Sequence, residues 1–179
     1  MAESSKRDLV SPISAREYLE LVRASRFRVI NRVAATKPVE SLYELIGIKG
    51  EVESDYTELA SSNDRDEVDD IATIRVSSFI RPKVFGLRVG VRLEDEEYLV
   101  AVDGTVEYQW EHAVVYVPDP MTEFLRMQAA PRVIFGTWAV VEELGRSLST
   151  QLPEPPQFGV DGVVKAVRHQ IVEHSAASR

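Results

Sequence analysis

The chain has 179 residues, a formal net charge of −8, no cysteine and 44% apolar residues. Such a composition suits one globular domain with a full core, and it excludes disulfides, thiolate metal sites and cysteine nucleophiles. The acidic balance argues against sequence-nonspecific nucleic-acid binding, which rests on neutralising phosphates. No apolar run approaches the ~20 residues of a membrane span, and residues 1–7 lack the apolar core of a signal peptide, so a cytoplasmic location and no membrane insertion are expected.

Taken in chain order, Ser14 followed by Glu17 forms a capping-box pattern, and Tyr18, Leu21 and Val22 place a short amphipathic helix behind it. Residues 1–24 therefore read as an N-terminal arm ahead of a single domain over 25–175. Phe27, Val29 and Val33 alternate with Arg26, Arg28 and Arg32, which predicts a first strand with a polar break at Asn31. Residues 42–58 form a second candidate strand, with Ile46, Ile48, Val52 and Tyr56 on one side and Lys49, Glu51, Glu53 and Asp55 on the other. Residues 59–70 read as a mobile acidic loop. Ile74, Val76 and Ile80 mark a third strand that stops at Arg81 and Pro82, where proline suits an edge, bend or bulge and argues against an uninterrupted central strand.

The strongest periodic signal follows. Over residues 85–93 every odd position is apolar (Phe85, Leu87, Val89, Val91, Leu93), and after an acidic turn the phase restarts on Tyr98, Val100, Val102, Val106, Tyr108 and Trp110. Each run has one dry and one wet face, and together they predict a long hairpin whose greasy side needs a cover. Gly86 and Gly90 sit on the polar side of the first run, which points to a bulge or a close approach.

From Pro118 the period becomes helical. Asp119 and Pro120 read as a cap and first helical position, followed by Met121, Phe124, Leu125 and Gln128. Pro131 interrupts, and a longer helix carries Ile134, Trp138, Val141, Leu148 and Leu152 with Gly145 in the same stripe. Gly136 and Gly145 each cost about 1 kcal/mol relative to alanine in a helix interior, a cost tolerable where a neighbouring element packs closely. The prolines at 153, 155 and 156 end this helix, and a last one runs from Asp161 through Val163, Val167 and Ile171. Strands first and helices last indicate an α+β layer: an antiparallel sheet of four or five strands with C-terminal helices on one face.

That order, and the residues of the last third, resemble the SecB family of export chaperones over roughly residues 25–167. Ala130-Pro131-Arg132-Val133-Ile134-Phe135 is similar to the family's entry to its main helix, Trp138-Ala139 to its aromatic–alanine pair offset by one, and Arg146-Ser147 with Leu152-Pro153-Glu154-Pro155-Pro156-Gln157-Phe158 to its helix exit. The chain departs from the pattern at Gly136, where the family has proline, at Val140, where it has arginine, and over residues 159–163, which marks a divergent member. The resemblance implies a non-catalytic holdase without cofactors or metals, assembled as a homo-oligomer (a dimer of dimers) and holding non-native polypeptides on apolar grooves. The partners it implies are the SecA motor or, for divergent relatives, a dedicated antitoxin-like client of a toxin–antitoxin system.

On this basis Phe124, Leu125, Met127, Phe135, Trp138 and Phe158 are the expected polypeptide-binding residues, set against the plainer reading that such a stripe is core or subunit seam. Enzymatic readings find little. His169 and His174 stand five apart, about 140° round a helix, rather than on one face as a zinc helix requires. His112 beside Glu111 has no nearby nucleophile. Asp64, Asp66, Asp69 and Asp70 lack the turn glycine and closing glutamate of an EF-hand. The alternative to a chaperone is a small-molecule-binding or hydrolytic α+β domain with an enclosed pocket.

Overall fold

The computed structural model describes residues 9–36, 57–60, 71–94, 97–149, 152 and 159–177. Five strands form one antiparallel sheet in the order β2-β6-β5-β4-β3: β2 (Val22–Thr36), β3 (Thr57–Ala60), β4 (Ile71–Arg81), β5 (Val84–Glu94) and β6 (Tyr98–Trp110). The expected hairpin is its centre, since β5 pairs with β6 along their whole length, from Val84 opposite Gln109 to Glu94 opposite Leu99. Every apolar residue of the two alternating runs lies in the core. At about 1.5–3 kcal/mol for each large side chain removed from water, this layer supplies much of the stability.

Other strands depart from expectation in instructive ways. Strand β4 runs unbroken between β5 and β3, and Pro82 sits with Lys83 in the two-residue turn beyond it. The proline thus closes a hairpin and leaves the ladder intact. Leu59 and Ala60, expected in the acidic loop, continue β3 opposite Ile74 and Thr73. The second expected strand lies outside the described residues except for Thr57 and Glu58, as do residues 61–70 with Asp64, Asp66, Asp69 and Asp70.

Strand β2 is longer than its alternation suggested, because it changes phase. Its register against β6 shifts between Val29 and Asn31, leaving Ile30 as the extra residue. Before this bulge Phe27 and Val29 face the helices. After it Val33 pairs opposite Ala101 and turns to the other face, so Val33 does not share a side with Phe27 as expected. The break at Asn31 is this change of face.

A second, two-stranded sheet pairs β1 (Leu9–Val10) with β7 (Ala113–Val114) in parallel. Between β1 and β2, helix α1 (Ala15–Glu20) carries the expected cap: the Glu17 amide donates to Ser14 Oγ at 3.2 Å, and Glu17 reaches back to accept from the Ile13 amide at 3.0 Å. Tyr18 anchors this arm. It is fully buried among Trp110, Tyr116 and Phe124, donates to the Val115 carbonyl and accepts from the Val117 amide.

Helix α2 (Pro118–Phe124) starts earlier than expected, with Val117 as the cap residue and Pro118 at the first helical position. It does not stop at Pro131. A π-helical turn, Leu125–Ala129, joins it to α3 (Ala130–Ser147), and the Ala130 amide bonds the Leu125 carbonyl five residues back. Proline has no N–H and its ring clashes with the carbonyl four residues earlier, so the wide turn just before Pro131 lets one near-continuous helical path pass over it. Helix α3 then ends at Ser147. Ser149 adopts a left-handed φ of 55°, and Leu152, expected in the helical stripe, folds back to fill the space beside Gly145. Helix α4 (Val160–Ala177) buries Val163, Val167 and Ile171 as expected.

Candidate functional site

Helix α3 lies across β5, β6 and β2 on one face of the sheet. The sheet-facing row Val133, Thr137, Val141 and Gly145 is buried, and its close seating depends on glycine. An ideal Cβ at Gly136 would stand 2.7 Å from Phe27 Cε2, and one at Gly104 of β6 would overlap the Thr137 hydroxyl. Thr137 Oγ1, buried in this contact, has no hydrogen-bond partner among the described residues. Arg132 Nη1 donates to Ser25 Oγ at 2.6 Å, tying the start of the helix to β2.

The opposite side of the same helical path is apolar where solvent should be. Phe135 is 73% exposed and Met127 is 55% exposed, while Ile134 and Trp138 are half-buried. With Pro131 and Ala139 these residues form a band that ends at Glu142 and Glu143, both exposed. Of the residues expected to bind polypeptide, Met127, Phe135 and Trp138 fall on or beside this band. Phe124 and Leu125 do not: at 0% and 1% exposure they belong to the core. Phe124 packs edge-on against Tyr108 and Trp110, which corrects the expectation for that pair. Phe158 lies outside the described residues.

The second distinctive surface is the sheet face turned away from the helices, which sequence reasoning treated only as solvated. Its residues line up in cross-strand rows: Arg26, Glu107, Gly86 and Phe79, then Arg28, Thr105, Arg88 and Ser77, then Asn31, Asp103, Gly90 and Arg75. Arg26 Nη2 lies 2.6 Å from Glu107 Oε2, and Arg28 bonds the other oxygen of the same carboxylate. Arg88 Nη2 is 2.6 Å from Asp103 Oδ2. The two glycines make room for these neighbours: the Phe79 ring occupies the space of a Cβ at Gly86, and the Asp103 carboxylate stands 2.6 Å from where one would lie at Gly90. Both are close approaches, without a bulge in β5. Burial alone would raise the pKa of Glu107, but Arg26 and Arg28 outweigh it and hold the carboxyl below its usual value.

Buried phenols shift the other way. Desolvation pushes Tyr18 up to about 12, against the opposing Val117 amide. Tyr116 is raised further by burial, and its hydroxyl accepts from Trp110 Nε1 at 2.7 Å and donates to the Arg81 carbonyl at 2.8 Å. Tyr108 is raised by burial in spite of Arg132. These hydroxyls act as structural pins of the core.

Of the histidines, His174 packs edge-on against Tyr116, while His169 and His112 are exposed, so the three do not meet. Among the described residues no three His, Asp or Glu side chains converge as a metal site would require, and no helix is long and apolar enough to cross a membrane.

No family model matches the chain, and no curated protein does. Among solved structures, a SecB-like chaperone of Mycobacterium tuberculosis, in complex with a ChAD peptide from the HigA1 antitoxin, is similar with a TM-score of 0.41 and 13% sequence identity, over 81% of this chain and 96% of that one. At that level of similarity no residue role passes from one chain to the other.

Proposed function

We propose that this protein is an ATP-independent holdase that binds non-native polypeptides on the outward band of helix α3. The observation that supports this most is Phe135, a large aromatic side chain left 73% exposed in the middle of a helix whose inner face is sealed. Scattered apolar residues on a surface need no explanation, whereas a contiguous band rimmed by charge marks an interaction site. Met127 and Trp138 extend the band, and such polarizable, adaptable side chains suit varied guests. Binding by apolar burial needs neither cofactor nor nucleotide.

On the same reading the band is shared between subunits and guests, so a homo-oligomer forms in the absence of client. SecA or an antitoxin-like client, the partners that the family resemblance implies, would engage the chain through the same surface.

The test is light scattering from several chemically unfolded clients diluted into buffer without ATP. Suppression of aggregation at about one binding unit per client, by an assembly larger than a monomer in sedimentation, is the expected result. A monomer that leaves every client's aggregation unchanged would contradict it.

A further inference from the structure

The sheet face turned away from the helices carries Arg26 and Arg28 of β2, Arg75 and Arg81 of β4, and Arg88 and Arg92 of β5. Its carboxylates are fewer. Arg26 and Arg28 share Glu107, Arg88 pairs with Asp103 and Arg92 with Glu94, and Glu58 of β3 stands opposite Arg75 in the ladder. Among the described residues this face is therefore net positive, within a chain of net charge −8. Every cation of the five strands is an arginine and none is a lysine. Arginine is enriched, and lysine depleted, where proteins meet.

Phe79 places an apolar anchor in the same field. Its ring covers Gly86 and is 38% exposed, in one cross-strand row with Glu107 and Arg26 and two residues from Arg81. Aromatic side chains and arginines are the residues that most often carry binding energy at protein interfaces. Assembly of the chain leaves this surface open. A strand added beyond β2 extends the face, and contacts through the band of α3 lie on the other side of the sheet.

We propose that this face docks an acidic segment of a partner protein, whose carboxylates engage the arginines beside an apolar residue seated on Phe79. The surface is separate from the band of α3, so the proposal stands whether or not that band holds clients. Guanidinium forks match carboxylates in two-point geometry. Arg26 and Arg28, with five N–H donors each, have capacity beyond the one carboxylate they share. A nucleic acid fits less well. Phe79 is the one aromatic this face offers among the described residues, where single strands use successive stacking platforms. The interspersed carboxylates and the acidic field of the whole chain oppose a dense run of phosphates.

The test is fluorescence anisotropy with the full chain at low and high salt. The probes are short labelled peptides with a central leucine flanked by Glu, by Gln or by Lys, and a single-stranded oligonucleotide. The Glu peptide is expected to bind about tenfold more tightly than the Gln peptide, as charge-assisted pairs allow, with the margin shrinking in salt. Arg26→Gln with Arg81→Gln is expected to abolish that margin. Arg16→Gln with Arg168→Gln, which changes the net charge equally on the helices, is expected to keep it. Phe79→Ala is expected to weaken the Glu and Gln peptides alike, and Phe135→Ser to leave both unchanged. Thermal melts confirm that the variants are folded. Equal affinity for the three peptides, tighter binding of the oligonucleotide, equal loss in the two arginine pairs, or loss of binding in Phe135→Ser would overturn the proposal. So would dissociation of an oligomer by the Glu peptide, which would make the face a subunit contact. Client aggregation assays on the Arg26→Gln, Arg81→Gln chain are expected to match the parent, so the holdase reading stands or falls apart from this one.

Discussion

The ring of Phe27 on β2 fills the space that a side chain at Gly136 of α3 would take, with a Cβ there standing 2.7 Å from Phe27 Cε2. This contact sets how close the helix sits to the sheet, and so how the opposite, apolar side of α3 is presented. Alanine is favoured over glycine in a helix by about 1 kcal/mol, yet Gly136→Ala is expected to destabilise by a net ~1–3 kcal/mol, the usual cost of overpacking. Chemical denaturation with the slope held constant measures it. A stabilised Gly136→Ala would mean that the helix can lift without penalty.

Exposure separates the phenylalanines of the helical path. Phe124→Ala is expected to cost about 3–5 kcal/mol, as for a filled core site. Phe135→Ser is expected to stay within about 0.5 kcal/mol of the parent while weakening client binding and self-association. The pairing of an unstable, inactive Phe124 variant with a stable, inactive Phe135 variant is read by melting and aggregation assays on the same preparations.

Ser149 holds a left-handed φ of 55° just past the end of α3, where glycine carries no Cβ penalty. Ser149→Gly is therefore expected to stabilise the chain by roughly 0.5–1 kcal/mol, detectable as a higher melting midpoint.

Titration gives two further signs. Tyr18 has a folded pKa raised from 10.0 to about 12, so the folded state favours the protonated phenol. The stability this contributes is complete below pH 10 and is lost as pH climbs from there towards 12. Phenolate absorbance should accordingly show Tyr18 and Tyr116 ionising together with unfolding, and Tyr18→Phe should flatten the alkaline loss. Glu107, with its folded pKa lowered, contributes in the opposite sense: its stabilisation is present above the ordinary carboxyl range and fades as acid protonates it. Glu107→Gln should remove that part of the acid dependence.

Much of the fold was legible because β5 and β6 keep strict two-residue alternation and the last helices keep their stripes. Gly136 was also legible as a close approach, since a glycine inside a regular element demands a spatial reason, while Gly86 and Gly90 left a bulge and a close approach open, and the structure shows side chains approaching an unbulged strand. What escaped was non-local. The bulge at Ile30 flips the phase of β2, so Val33 matched Phe27 in sequence while facing away from it in space. Strands β1 and β7 are two residues each, too short for any period. Phe124 and Phe135 looked alike in sequence, and only the path of the helix after the π turn buries one and exposes the other. The arginine rows were visible as alternation on β2 and β5, but their convergence on Glu107 and Asp103 depends on strand order, which no local pattern states.

The most direct measurement replaces Phe135 with the photo-crosslinker benzoyl-phenylalanine and irradiates the protein with a client before and after the client refolds. Crosslinks to the unfolded client that vanish once it is native, with far fewer from the same probe at the exposed position Val172 of α4, are the expected result. Equal labelling from both positions, or none from Phe135, would contradict the account.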